Sequence, residues 1–286
     1  MIHEIQQSYE GERALFQAQN LKLSYCRFHD GESPLKESNN IQLSYCLFQW
    51  KYPLWYSKDI VMNSCSLFEE ARSGIWYTSN IKIENSTIQA PKTFRRSQQI
   101  ELVNCELLHA QETLWNCQDI ILKHVSANGD YFGMNSENIT AEHFTLNGNY
   151  AFDGACNLTI KNARLLSKDA FWNCKNVTVS DSEIYGEYLG WNSENITFEN
   201  CTIQSLQGLC YMKNVKLIHC RLIDTTLAFE YSDVNAIIDG SVESVKNPSS
   251  AHIQAEKINE LILDDADINS EQIKIITEDE YDKTTA

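Results

Sequence analysis

Five of the six tryptophans occupy one recurring place in this sequence. Trp55, Trp76, Trp115, Trp172 and Trp191 lie one, two, three and one repeat apart when the repeat is taken as 19–21 residues. On a structure built from such repeats, these rings would lie above one another as a stripe. A large exposed apolar stripe is typical of a binding surface, and aromatic rings pack well against the apolar faces of sugars. The pattern therefore predicts a carbohydrate-binding stripe.

Hydrogen-bonding and acidic side chains accompany these tryptophans. Amides that directly follow three of them, and tyrosines beyond the adjoining bend, would suit the hydroxyls of a sugar. The predicted ligand-binding residues are Arg95, Trp115, Tyr131, Tyr150, Trp172, Asn173, Tyr188, Trp191 and Asn192. Because carboxyl pairs carry out glycoside chemistry, the predicted catalytic candidates are Asp153, Asp169 and Glu187.

The direction in which the tryptophans point has three interpretations. The Trp row, four residues before each repeat position, consists of Phe16, Lys36, Trp55, Trp76, Arg95, Trp115, Met134, Asp153, Trp172, Trp191, Cys210 and Phe229. Its charged members, Lys36, Arg95 and Asp153, favour an outward direction because a charge is rarely buried unpaired. An outward row forms either an open ligand groove or a surface covered by a second subunit. The third interpretation is a row packed inside a wide coil.

A repeat of 19–21 residues positions all of these side chains. Its reference position is occupied by Asn20, Asn40, Asp59, Asn80, Gln99, Asp119, Asn138, Asn157, Asn176, Asn195, Asn214 and Asp233. An aliphatic residue follows each one, and further apolar or small residues occur three, six and eight places later. Alternation of period two indicates short strands, and the change of parity between them indicates a bend.

Short strands separated by bends and repeated at this period predict a solenoid in which like residues stack. The predicted fold class is all-β: a single-stranded right-handed parallel β-helix of about 12–13 coils, with 19–21 residues per coil. Asparagine fits the reference position because it tolerates the left-handed backbone conformation of a sharp bend. Stacked amides would also hydrogen-bond from coil to coil.

One domain spanning residues 1–286 is expected. Residues 1–14 are predicted to form an N-terminal cap, residues 15–252 the regular coils, and residues 253–286 an acidic C-terminal cap or tail. Polar ends of this kind stop solenoids from stacking on one another.

The cysteines and histidines could suggest a metal or cofactor site, but their positions in the repeat account for them. Six of the ten cysteines share one inward position: Cys26, Cys46, Cys65, Cys105, Cys201 and Cys220. Free cysteine is among the most buried residue types, so reduced core thiols are expected, without metal or cofactor. His124 and His143 fall at one bend position in neighbouring coils, where polar bend residues are expected.

The net charge of the chain argues against some classes of partner. Lys and Arg total 23 against 39 Asp and Glu, a net charge of −16. Nucleic acids and anionic membranes attract clustered basic residues, so neither is expected as a partner.

Residues 1–16 lack a basic stretch followed by an apolar one, so no signal peptide is predicted and a cytoplasmic location is expected.

Copies such as Asn195-Ile-Thr-Phe-Glu-Asn-Cys-Thr-Ile203 resemble the coils of the pectin-lyase-like right-handed β-helix superfamily. The opening Tyr9-Glu10-Gly11-Glu12-Arg13-Ala14-Leu15-Phe16 is similar to a bacterial β-helix family known only as a domain of unknown function. The first resemblance implies polysaccharide binding or cleavage, with clustered Asp in hydrolases and calcium-binding Asp in lyases. This sequence has no outward Asn-Thr-Asp followed by an Asp-Asp pair.

Two functions are therefore expected from different classes. The first is a β-helix that binds, or also processes, an oligosaccharide along the Trp row; as an enzyme it would resemble a polysaccharide lyase or glycoside hydrolase. The second is a non-catalytic solenoid scaffold that uses the same row for homo-oligomer or protein-partner contacts.

Overall fold

Alternating apolar and polar residues after each repeat position produce a parallel strand in the computed structural model, which describes residues 1–278. Ile196 and Phe198 are buried, whereas Glu199 is exposed. Ile196 pairs with Val177 and Phe198 with Val179 of the preceding coil. Like residues therefore stack on like residues at the parallel-strand spacing of about 4.8 Å.

The chain divides into two units, Met1–Asn147 and Gly148–Ala286. Unit 1 contains β1 (Ile2–Ile5), β2 (Ser8–Tyr9), β3 (Gln19–Ser24), β4 (Arg27–Phe28), β5 (Asn39–Ser44), β6 (Leu47–Phe48), β7 (Lys58–Asn63), β8 (Ser66–Leu67), a 3-10 turn (Glu69–Ala71), β9 (Ile75–Trp76), β10 (Ser79–Glu84), β11 (Thr87–Ile88), β12 (Phe94–Arg95), β13 (Gln98–Leu107), β14 (Gln118–Asn128) and β15 (Glu137–Asn147). The prediction that the whole chain forms one domain stays a prediction.

Unit 2 continues the same repeat. It contains β16 (Cys156–Lys161), β17 (Arg164–Leu166), β18 (Lys175–Ser180), β19 (Glu183–Glu187), β20 (Glu194–Glu199), β21 (Thr202–Leu206), β22 (Lys213–Thr226), β23 (Asp233–Ile238), β24 (Ser241–Lys246), β25 (Ser250–Ala255), β26 (Lys257–Ile262), a 3-10 turn (Ser270–Gln272) and β27 (Ile273–Thr277). Neither of these turns, nor any other segment of residues 1–278, is a helix long and apolar enough to cross a membrane.

The predicted fold class is confirmed: both units are right-handed parallel β-helices with about 19 residues per coil. The coils number about 15 instead of 12–13. The additional coils come from the ends, where β1 pairs in parallel with β3 and β27 with β25. These terminal coils lack the repeat asparagine, which is why the sequence pattern does not reveal them. Part of the predicted C-terminal cap, residues 279–286, lies outside the described residues.

The repeat asparagines form the bend at which each of these strands begins. Asn176, Asn195 and Asn214 have φ angles of 57°, 57° and 54°, in the left-handed region. The Nδ2 of Asn195 donates to Oδ1 of Asn176 at 3.1 Å, and the Nδ2 of Asn214 donates to Oδ1 of Asn195 at 2.8 Å. The residue type therefore meets two needs of the bend, the backbone conformation and a partner for the neighbouring amide.

The first coil of unit 1 carries a charged residue in the register of the core. Ile2 and Glu4 pair with Leu21 and Leu23, which are inward residues of the next coil. Glu4 thus occupies a core position, and its Oε2 accepts a hydrogen bond from the Tyr9 hydroxyl. An inward-pointing charged group is one way in which a sheet edge avoids pairing with another chain.

Replacing a repeat asparagine separates its two contributions to stability. Asn195→Ala should destabilise unit 2 more than Asn195→Gly, by about 1 kcal/mol, because alanine is strained at positive φ whereas glycine is not. Both variants lose the same amide hydrogen bonds. Urea denaturation followed by circular dichroism measures the difference. Equal destabilisation by the two substitutions would contradict a backbone role for this residue.

None of the ten cysteines forms a disulfide, and nine of them are buried, whereas Cys156 is half-buried. A thiol reagent should therefore modify about one cysteine per chain under native conditions, and Cys156→Ser should abolish that reaction. Complete modification should require denaturant, because the other nine thiols lie in the core. Rapid native modification of several cysteines, counted by mass spectrometry, would show that the core opens.

Candidate functional site

The tryptophans of unit 2 lie on the outside of the coil and are half-buried. Trp172 Nε1 donates to the backbone oxygen of Tyr188 at 2.7 Å, and Trp191 Nε1 donates to that of Gln207 at 3.1 Å. The preceding residue, Phe171, is fully buried in the core. The interpretation that these tryptophans fill a wide coil is therefore wrong, and each indole instead lies against the following bend.

The two indoles present their edges outward. Their ring centroids are 5.7 Å apart with an interplanar angle of 11°, so one face of each ring packs towards the other. Tyr150 and Tyr188 make edge contacts with Trp172 and Trp191 at 6.0 and 5.5 Å. The row is thus a fixed aromatic layer, and a continuous platform of open tryptophan faces is absent from unit 2 as described.

A run of hydrogen-bonded polar side chains follows the Trp row in unit 2. Asn173 Nδ2 donates to Oδ1 of Asp153 at 2.8 Å, and Asn192 Nδ2 donates to Oδ1 of Asn173 at 2.8 Å. Both asparagines are exposed. Because an amide has two N–H groups, each of these asparagines keeps a second donor for a ligand.

A groove of about 320 Å³ opens beside these asparagines. It is lined by Asn173, Lys175, Asn192, Ser193, Glu194, Tyr211 and Lys213. The Tyr211 side chain is 45% exposed, and its ring is tilted by 59° from that of Trp191 at 5.2 Å. On its other side the Tyr211 ring meets Tyr231 at 5.3 Å with a tilt of 42°. Because neither neighbour is stacked flat on it, part of the Tyr211 ring stays exposed. This groove therefore combines an accessible aromatic face with amide, ammonium and carboxylate groups.

Five of the seven groove residues were not predicted as site residues: Lys175, Ser193, Glu194, Tyr211 and Lys213. Lys175 and Lys213 each precede a repeat asparagine by one place, and Tyr211 follows a Trp-row position occupied by a cysteine. Tyr211 has the same place relative to the Trp row as Asn173 and Asn192, since each directly follows a residue of that row. The lysines carry no sequence signal that separates them from ordinary solvated side chains.

The predicted catalytic carboxyls come close enough to influence one another. Asp169 is buried, with 3% of its surface exposed. Burial raises its pKa above the ordinary value of 3.8, and the charges of Glu187 and Asp153 raise it further, while Lys168 and a hydrogen bond with Tyr150 act in the opposite direction. A buried carboxyl that binds Tyr150 positions that side chain and has little surface with which to touch a ligand.

The other two carboxylates are already engaged. Glu187 forms an ion pair with Lys168 at 2.9 Å, and the Lys168 ammonium lies 5.2 Å from the ring centroid of Tyr188. Asp153 accepts the Asn173 amide described above. The geometry therefore supports a binding surface more directly than an acid/base pair.

The remaining predicted residues, Arg95, Trp115 and Tyr131, lie in unit 1. The Arg95 guanidinium lies between the rings of Trp76 and Trp115, 4.7 and 4.8 Å from their centroids. It also forms an ion pair with Glu112 at 2.8 Å. Arg95 is thus held by cation–π contacts on both faces and serves the aromatic row itself. The prediction that both units contribute to one site stays a prediction.

Two members of the Trp row do not face outward. Cys210 and Phe229 are fully buried, so the outward row predicted for every coil is wrong at these positions of unit 2. Small and aromatic apolar side chains there extend the core instead.

His124 and His143 stack at 4.6 Å, and residues 1–278 contain no group of three or more His, Cys, Asp or Glu placed to hold a metal ion.

Residues 3–276 match the model of a family described as "Protein of unknown function (DUF3737)". The chain belongs to this family, which confirms the resemblance to a β-helix family of unknown function. Comparison with curated proteins finds no match.

Among solved structures, the chain is similar to the mannuronan C-5 epimerase AlgE4 A-module of Azotobacter vinelandii, with 9% identity, a TM-score of 0.36, and coverage of 96% of this chain and 88% of that one. It is also similar to PfbA, a surface adhesin of Streptococcus pneumoniae, with 9% identity, a TM-score of 0.45, and coverage of 90% and 82%. Similarity at this level supports no statement about the activity of this chain.

The burial of Asp169 can be tested through the pH dependence of stability. Because its pKa is raised in the folded protein, the free energy of unfolding should fall as pH rises from about 4 through the raised pKa. Asp169→Asn should flatten this part of the profile, measured by urea denaturation. The exposed Asp224→Asn is the matched control and should leave the slope in place. An unchanged slope in Asp169→Asn would contradict a buried, protonatable Asp169.

Proposed function

We propose that unit 2 binds an oligosaccharide in the groove beside Asn173 and Asn192. The observation that carries the proposal is the hydrogen-bonded run Asp153–Asn173–Asn192 next to the partly open ring of Tyr211. The amides repeat at the coil spacing of about 4.8 Å, which is similar to the length of one sugar ring. Hydroxyls on successive rings would therefore meet successive amides.

The groove suits a polyhydroxylated ligand better than an apolar one. Tyr211 offers an aromatic face for the apolar side of one sugar ring, and Asn192 offers donor and acceptor atoms for hydroxyls. Lys213 adds a further donor on the same side. Protein sites for small molecules commonly combine an aromatic wall with a few polar groups in this way.

The hydrogen bonds within the site favour binding over catalysis. Asp153 and Glu187 are held by Asn173 and Lys168, and Asp169 is buried. Lyase or hydrolase activity would require one of these carboxyls to leave its partner and reach the ligand. We therefore propose a binding protein that acts in the cytoplasm on soluble oligosaccharides, and we treat processing of the ligand as an outcome to be measured.

The scaffold alternative rests on unit 1. Tyr25 and Tyr45 stack at 4.8 Å and remain 54% and 52% exposed. Tyr56 and Tyr77 stack at 4.7 Å beside Trp55 and Trp76. Exposed tyrosines of this kind are enriched at protein–protein interfaces, so a partner protein that contacts unit 1 is the second candidate function.

Titration with a panel of neutral and charged oligosaccharides, followed by calorimetry and tryptophan fluorescence, tests the carbohydrate proposal. Asn192→Ala should weaken binding of the preferred sugar about three- to tenfold, the effect of one hydrogen bond. Tyr211→Ala should weaken it further, because the aromatic face is lost.

The matched control is Tyr25→Ala, which removes a tyrosine of similar exposure from unit 1 and should leave the affinity unchanged. Product analysis by mass spectrometry shows whether the bound sugar is processed. If no sugar in the panel binds, or if both groove variants bind as well as the wild type, the carbohydrate proposal is overturned.

A further inference from the structure

Unit 1 carries an outward row of four residues, separate from the proposed carbohydrate groove, in which apolar and charged side chains follow one another in a particular order. Val61, Lys82, Glu101 and Ile121 occupy the same outward position in four successive coils: Val61 pairs with Lys82, Lys82 with Glu101, and Glu101 with Ile121. The row therefore reads apolar, basic, acidic, apolar along the coil axis. At about 4.8 Å per coil, its two apolar ends are about 14 Å apart.

Both apolar ends are open to solvent. Val61 is 42% exposed and Ile121 is 38% exposed, although an outward strand position favours polar side chains. The four residues line one groove of about 460 Å³. Repeat-position residues, among them Asn80 and Gln99, form one of its walls.

The two central charges interact within the chain. Lys82 Nζ lies 2.9 Å from Glu84 Oε1 and 3.8 Å from Glu101 Oε1. The side chains of Lys82 and Glu101 nevertheless remain 40% and 33% exposed. Each therefore keeps surface with which to meet an opposite charge from another molecule.

We propose that this face binds a second copy of the same chain across a two-fold axis that runs parallel to the strands, between β10 and β13. Such an axis reverses the order of the coils and keeps the position along each strand. Lys82 then faces Glu101 of the second copy, and Val61 faces Ile121 of the second copy. The four-residue row is complementary to its own reverse, which is what an isologous interface requires.

A second copy suits this face better than an unrelated partner because the order of the four residues is complementary to its own reverse. Asp59 and Asp119, at the margin of the groove, would also face each other across the axis. These like charges oppose association, and the repulsion is reduced because each carboxylate already accepts an amide N–H, from Asn80 at 2.5 Å and from Asn138 at 2.9 Å. The central ion pairs would thus be flanked by two apolar contacts, with these hydrogen-bonded carboxylates at the rim.

The interface does not depend on the proposed carbohydrate groove, which lies in unit 2 and shares no residue with it. Sedimentation and light scattering of the full chain should give twice the monomer mass of 32.8 kDa. Lys82→Glu or Glu101→Lys should each weaken the dimer at least tenfold, since each places like charges opposite one another. The double variant Lys82→Glu/Glu101→Lys should restore it, because the exchanged charges are again complementary.

The control is Lys216→Glu, which reverses a charge at the same strand position of unit 2 and should leave the mass unchanged. Circular dichroism shows that each variant is folded. A wild-type chain that stays monomeric at all concentrations overturns the proposal. So does a dimer that survives both single substitutions, or a folded double variant that fails to regain the dimer mass.

Discussion

The rest of the structure depends on the stacking of like residues at the coil spacing. A residue in one coil lies directly against its counterpart about 19 residues later, so the side chain that suits a position must also suit a copy of itself. Apolar rows satisfy this condition by burial, and amide rows satisfy it because each carries both a donor and an acceptor. Charged rows satisfy it only by alternation, as Lys82 and Glu101 do.

The same constraint explains the character of the Trp row. Indoles that stack at 5.7 Å cover one another's faces. Between Trp76 and Trp115, the guanidinium of Arg95 takes the place of an aromatic ring. The aromatic residues thus stabilise the outer wall of the coil. A ligand meets open aromatic surface mainly where neighbouring rings are tilted from one another, as Tyr211 is between Trp191 and Tyr231.

Much of the fold was predictable because the repeat is periodic. The inward positions of Phe171 and Phe198, the bend conformation of Asn195 and the burial of the six cysteines that share the inward position all follow from one register. The terminal coils could not be predicted, since the coil that contains Ile2 and Glu4, for example, lacks the repeat asparagine that marks the regular coils. The candidate site was predictable in its residue types but not in its geometry. The burial of Asp169 and the tilt of Tyr211 depend on how individual bends pack, which periodicity does not describe.

Contacts in either β-helix unit join residues that are about one coil apart, and this has a consequence for how the family can change. Removing or duplicating a whole coil would leave every remaining residue facing a neighbour of its own kind, whereas a single-residue insertion within a strand would turn inward side chains outward. Members of the family should therefore differ in length by complete coils. The length of a surface groove along the coil axis would then differ between family members in steps of about 4.8 Å, one step for each coil.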